Sequence, residues 1–206
     1  MNKFKTTVWQ LFRNIRIGCR RMRVNSTKSR SILCNNCLGG VVAHDFGLRF
    51  CSPFVNLWIP TNHYIEILEN IAFLDQYTFR DITPDSSTYP IGLLNDKWEV
   101  HFMHYQSYEE AVWKWNERVL RMDVNNAYVL CVKTHSATDE DLKNFDKLSF
   151  KNKLLITGKP YPEIKCAVVL KNYNESNANG EILWPSNRWG MCTYDQIDWI
   201  KFLDLN

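Results

Sequence analysis

Short apolar runs alternate along this chain with segments that open on helix-capping signatures, and that alternation restricts the fold more than any other feature. Ser31-Ile32-Leu33-Cys34 and residues 54–59, 98–105, 127–132, 153–157 and 167–170 read as strands, being too short for buried helices and bounded by turn formers. Helical patterns fall between them, at 41–47, 61–74, from 107 to 122, from 138 onward and at 197–203. Three of these starts carry capping chemistry: Ser107-Tyr108-Glu109-Glu110, Thr138-Asp139-Glu140-Asp141 and Thr193-Tyr194-Asp195-Gln196. There a hydroxyl accepts a backbone N–H of the first turn, and the acid or amide three residues on returns the bond. Strands alternating with helices predict an α/β fold: a mostly parallel, doubly wound central sheet with flanking helices. Sheets of that kind take ligands beyond their strands' carboxyl ends, which singles out the loops after Leu33, Ile59, Tyr105, Val132 and Thr157.

Charge divides the chain a second way. Residues 1–44 hold nine Lys or Arg and no acid, so all 22 acidic residues lie beyond them. The expected organisation is a basic amphipathic helix and linker over 1–29 and a single α/β domain over 30–206. Phe4, Val8, Leu11, Phe12, Ile15 and Met22 recur at helical spacing, with Arg13, Arg16, Arg20, Arg21 and Arg23 between them. Two uses of residues 1–25 stay open: contact with an anionic membrane surface, or packing on the domain or on a second subunit. The body itself is slightly acidic, which argues against a nucleic-acid partner, since that needs a basic face on the domain. Seven scattered cysteines do not form a secreted disulfide framework. Neither a signal-peptide pattern nor an apolar run of about 18 residues is present, so the expected location is cytoplasmic, at most peripheral on the inner face of the cell membrane.

Chemistry concentrates at Asn35-Asn36-Cys37-Leu38-Gly39-Gly40. Cys37 follows a strand and precedes a glycine pair and a helix. A turn there presents a thiol, or backbone N–H groups, at a helix N-terminus, where the dipole lowers a thiol pKa and attracts anions. Asn35, Asn36, Gly39 and Gly40 are then ligand-binding candidates, the glycines by letting a ligand approach the backbone. His44 is a candidate base and Asp45 its neighbour, either at the ligand or as a local structural acid. His101 and His104 fall on opposite faces of the 98–105 run, and His104, nearer the carboxyl end, is preferred as the second candidate base. Lys159 and Tyr161, in the stiff Lys159-Pro160-Tyr161-Pro162 loop, suit an anionic or sugar ligand, and Arg188, beside Trp189, suits phosphate and a stacked sugar face. Each of these residues also has a plain packing explanation. Cys34 and Cys37 have the spacing of half a zinc site or a redox pair, but no second pair completes it. P-loop, GxGxxG, GxSxG and HExxH signatures are missing, so neither a cofactor nor a metal is expected.

The stretch from Ser31 to Pro53, together with Tyr89-Pro90-Ile91-Gly92, His101-Phe-Met-His104-Tyr, Ser107-Tyr-Glu-Glu-Ala and Lys159-Pro-Tyr-Pro, resembles a bacterial family known as domain of unknown function 1919. The resemblance runs from about residue 30 to the C-terminus. Family members usually carry Ser at the position of Cys34, which weakens a paired-cysteine role and leaves Cys37 as the shared thiol. Members are often labelled exopolysaccharide or capsule biosynthesis proteins. The resemblance therefore implies a cell-surface glycan pathway, and together with the basic helix and the aromatic loops it favours a transferase acting on a sugar or polysaccharide precursor, with a sugar or nucleotide-sugar type ligand. A non-catalytic glycan- or nucleotide-binding accessory protein and a Cys-dependent hydrolase are the alternatives. It supplies no catalytic residues.

Overall fold

A computed structural model describes residues 3–24, 29–176, 181–183 and 189–206. The elements in chain order are α1 (Lys3–Met22), β1 (Ile32–Cys34), α2 (Leu38–Asp45), α3 (Thr61–Glu69), β2 (Phe79–Asp81), β3 (Ile91–Leu94), β4 (Trp98–His101), α4 (Tyr108–Val119), β5 (Tyr128–Val132), α5 (Asp139–Lys147), β6 (Asn152–Thr157), β7 (Ala167–Val169) and α6 (Trp199–Phe202). Four strands form a parallel sheet in the order β1-β5-β6-β7. Its side chains alternate between two cores. Leu33, Val129, Cys131 and Leu155 enter one core, with α3, α4 and α5. Ile32, Cys34, Leu130, Val132 and Ile156 enter the other, with α2 and α6. Burial on both faces explains why these strands read as unbroken apolar runs. The expected α/β architecture with a mostly parallel sheet and a basic N-terminal helix is present.

A second, antiparallel sheet of β2, β3 and β4 packs into the first core and was not expected. β3 and β4 are joined by Asn95-Asp96, both in the left-handed region at φ 52°. Two such residues make the reversed turn that matches strand twist, and Asn and Asp are among the few side chains that tolerate it. Residues 54–59 are not a strand but a buried coil, bridged to β4 only through Trp58 and His101. Asn56 at φ 61° breaks the extended run. β4 itself stops at His101, and residues 103 and 104 form a turn.

Helix α1 sits on the domain by its polar side. The Arg13 guanidinium donates to Asp45 at 3.1 Å and to the Tyr194 hydroxyl at 3.0 Å. Arg16 reaches Asp195 at 2.6 Å, and Arg20 bonds both Asp45, at 2.8 Å, and Asp195. Tyr194 donates to Asp45 at 2.6 Å. Both carboxylates are buried side chains, so the arginines supply their counter-charge. Gly190, at φ 69°, lets the 189–191 loop lie against Trp9, where a Cβ would come within 2.6 Å of the indole. Asp45→Ala leaves two guanidinium groups facing an apolar methyl. The expected loss is about 3 kcal/mol in urea unfolding followed by far-UV dichroism; a loss below about 1 kcal/mol would mean the cluster contributes nothing to holding the fold.

Candidate functional site at the carboxyl edge of the sheet

One row of hydrogen bonds defines this edge. His101 and Trp58 exchange backbone bonds of 2.8 Å each, the next residue, Ile59, donates to the Asn35 carbonyl at 2.9 Å, and Asn35 is tied to Val132. Lys133 N–H then reaches Ile156 O, and Leu170 N–H reaches Thr157 O. The antiparallel sheet is thereby joined to the parallel one at the carboxyl ends of its strands. Trp58, His101, Asn36, Cys37 and Lys133 all lie on or next to that row.

The Asn35 carboxamide donates to Val132 O at 3.0 Å and accepts from Val132 N at 2.9 Å. It mimics one more strand residue, and this leaves it no bond for a ligand. Asn36 is buried; its Oδ1 accepts from Leu38 N at 3.0 Å, and its Nδ2 has no partner among the described residues. Cys37 is half-buried at the start of α2, with its thiol 3.6 Å from Leu57 O. The expected turn at Gly39-Gly40 is instead the first turn of α2. Both glycines serve close packing: a Cβ on Gly39 would stand 2.9 Å from Cys34 Cβ, and one on Gly40 3.2 Å from Val55. They leave no opening for a ligand.

Burial works against the thiol expectation. Burial pushes the Cys37 thiol up to about 11, so desolvation outweighs any lowering by the helix terminus. Neither candidate base assists it. His44 lies seven residues along the chain, about 10 Å up the helix axis, exposed beside Asp45 at the α1 side. Asp45 belongs to the arginine cluster. His104 is exposed in the turn after β4.

The histidine that the fold builds in is His101, set aside by strand alternation. Its ring is buried, stacked 4.5 Å from Trp58 and 5.8 Å from Tyr89 between centroids. Nε2 stands 2.6 Å from Glu99 Oε1 but outside hydrogen-bond geometry, so that neither ring nitrogen has a hydrogen-bond partner among the described residues. Burial lowers its pKa below 6.5, with Glu99 pulling the other way, so the ring is neutral near pH 7. Across the edge, Glu175 gathers the loop after β6: it accepts from Gly158 N at 2.7 Å, Lys159 N at 3.3 Å and the Tyr161 hydroxyl at 2.9 Å. The buried Lys133 ammonium lies 3.6 Å from it and donates to Ala137 O at 3.1 Å. Tyr161 is thus committed to Glu175, whereas the Lys159 ammonium is exposed, 5.3 Å over the Tyr161 ring. Arg188 lies outside the described residues. Glu99, Lys133 and Glu175 were missed; an acid two positions before a strand histidine, on the same face, was the available signal for Glu99.

Away from this edge, a cavity of about 580 Å³ opens at the amino end of the sheet, lined among others by Glu69, Asn125, Lys147, Ser149 and Lys151. None of the expected site residues borders it. Among the described residues no three His, Cys, Asp or Glu side chains are placed to hold a metal ion, and no helix is long and apolar enough to cross a membrane.

Fold and edge together describe an α/β domain whose polar groups gather at the carboxyl ends of a parallel sheet, the usual place for a small-ligand site. The sequence matches the family described as Domain of unknown function (DUF1919) over residues 9–204, and the chain belongs to that family. The match takes in α1 from Trp9 onward. An uncharacterized protein of Haemophilus influenzae (strain ATCC 51907 / DSM 11121 / KW20 / Rd) is 36% identical over 179 residues, 87% of this chain and 86% of that protein.

Two measurements follow from the geometry. Iodoacetamide should alkylate exposed Cys19 readily near pH 8 but Cys37 only toward its raised pKa of about 11. Peptide mapping that finds Cys37 as reactive as Cys19 at pH 8 would contradict the burial argument. Gly39→Val should cost about 1–3 kcal/mol in thermal unfolding through overpacking against β1. An unchanged melting temperature would show that the contact has room to relax.

Proposed function

We propose that this chain is a transferase acting on a sugar or polysaccharide precursor of a cell-surface glycan, in the cytoplasm, and that its ligand binds at the carboxyl edge of the parallel sheet. The observation that carries this reading is the His101–Glu99 pair, a buried imidazole whose pKa burial lowers, with a carboxylate oxygen 2.6 Å from Nε2 and no hydrogen-bond partner on either ring nitrogen among the described residues. An acceptor hydroxyl would give its proton to His101 Nδ1 as its oxygen attacks the anomeric carbon of an activated donor. The bond to the donor's phosphate breaks, and the nucleotide leaves with the electron pair. Glu99 stabilises the imidazolium that forms. Trp58 offers an aromatic face for a sugar ring, and Lys159 an exposed cation for a phosphate. Because Nδ1 is closed to solvent beside Tyr89, ligand entry has to move that ring. The buried, unpartnered Asn36 amide lies toward the same edge and supports a polar ligand there. Seven cysteines with no disulfide among them suit a reducing compartment. The family resemblance supports the glycan pathway.

Two observations favour a second reading, a non-catalytic glycan- or nucleotide-binding accessory protein: burial raises the Cys37 thiol pKa, and the His101 ring nitrogens are shielded from solvent. The same raised thiol argues against the Cys-dependent hydrolase.

Turnover of UDP-hexose and other nucleotide-sugar donors, read by mass spectrometry beside saturation binding by NMR, separates these readings. For a transferase, His101→Gln should lower turnover by about 100-fold or more with little change in binding. The acid limb of kcat/KM should fall below pH 6.5, because the base titrates below its ordinary value. Saturable binding without turnover would establish the accessory reading. Failure of every donor to bind would overturn both.

A further inference from the structure

We propose that α1 is a membrane-docking helix mounted in reverse: its arginines hold it to the domain, and its apolar side faces outward to enter an anionic lipid surface. An amphipathic helix on a globular domain ordinarily turns its apolar stripe to the core. Here the inward groups are Arg13, Arg16 and Arg20, closed on Asp45 and Asp195. Leu11, Ile15 and Met22 are 59%, 55% and 77% exposed, with Val8 and Phe12 beside them on the same stripe. Phe12 meets the Trp189 ring edge-on at 5.3 Å, and Trp189 and Met191, themselves exposed, extend the apolar surface onto the neighbouring loop. Tryptophan at the edge of such a surface suits the lipid headgroup level.

Charge selects the occupant. Residues 1–44 carry no acid, and the exposed Arg21 and Arg23 flank the C-terminal end of the stripe. A second copy meeting this face across a two-fold axis would bring one all-basic segment against another. An anionic bilayer complements both the basic flank and the apolar stripe. The buried Asp45 and Asp195 neutralise Arg13, Arg16 and Arg20, and Arg21 donates to His44 O at 2.8 Å, so exposed Arg23 is the arginine turned toward lipid. This inference does not depend on what the carboxyl edge of the sheet binds.

The test is co-sedimentation of the full chain with vesicles of phosphatidylcholine alone and of phosphatidylcholine mixed with phosphatidylglycerol. Binding is expected to the anionic vesicles only, to weaken as salt is raised, and to fall about tenfold or more in Leu11→Asp/Ile15→Asp. Both positions are exposed, so dichroism melting should match the parent; if it does not, Leu11→Ser/Ile15→Ser takes their place. Arg23→Glu should reduce binding while leaving the inward ion pairs and the Arg21–His44 bond intact. Equal binding to neutral vesicles, or undiminished binding of the apolar-stripe variants, would overturn the proposal. So would a parent that ignores vesicles yet sediments as a dimer that Leu11→Asp/Ile15→Asp converts to monomer, which would assign the face to a second copy.

Discussion

The carboxamide of Asn35 holds the architecture of this protein together at one point. β1 is three residues long, too short to fix an edge strand securely by its own ladder. The Asn35 side chain adds a further pair of bonds to Val132, and its carbonyl receives Ile59. Through Ile59 and Trp58 the antiparallel sheet is brought up beside the parallel one. A side chain in which both amide functions are buried and paired is costly to replace, because any substitute leaves the Val132 N–H and C=O unsatisfied at the centre of the fold. The arrangement of this edge therefore depends on a fully buried side chain whose bonds go to the sheet.

Helix α2 connects that edge to the other charged centre of the molecule. Cys37 stands at its start, beside the carboxyl row, and Asp45 at its end, under the arginines of α1. Its glycines let the helix press on β1 and on the 54–59 coil. A rigid, eight-residue rod thus fixes the distance between a ligand edge and an outward-facing apolar helix. For an enzyme handling a substrate at a bilayer, the orientation of the edge relative to lipid would be set by this one element.

Much of the architecture was legible because its causes are local. Two caps form as their sequences indicate: Ser107 accepts from Glu110 N, and Thr138 and Asp141 exchange both bonds of a capping box. The third start is displaced by one residue, Cys192 taking the cap position with Asp195 returning the bond, and a tight helical turn follows. What failed to show was whatever tertiary contact decides. Gly39-Gly40 carries the same letters whether it turns the chain or lets a helix approach a strand, and only the position of Cys34 distinguishes the two. β2, with its exposed Arg80 and Asp81, has no apolar pattern to find, although the Asn95-Asp96 turn beside it was a usable sign. The separation of His101 from His104 by alternation, like the choice between them, assumed a strand that continues to Tyr105. The chain leaves the sheet at His101, so the residue nearer the expected strand end is the one delivered to solvent.

The fate of Cys37 shows why position at a helix start does not by itself make a nucleophile. The favourable potential there arises from unsatisfied N–H groups and is worth about 0.3–1 kcal/mol at an exposed site. A thiolate removed from water loses its hydration, and for a group as enclosed as Cys37 that loss dominates and raises the pKa. Glycines able to open the backbone to solvent or ligand would have reversed the balance, but here they bring β1 and the 54–59 coil closer and deepen the enclosure. Burial acts on His101 with the opposite chemical result. Desolvation disfavours its cation and leaves a neutral ring, the form that accepts a proton, while Glu99 keeps the imidazolium accessible. The same enclosure therefore shifts the two groups in opposite senses, holding the thiol in its protonated form and the imidazole in its neutral form.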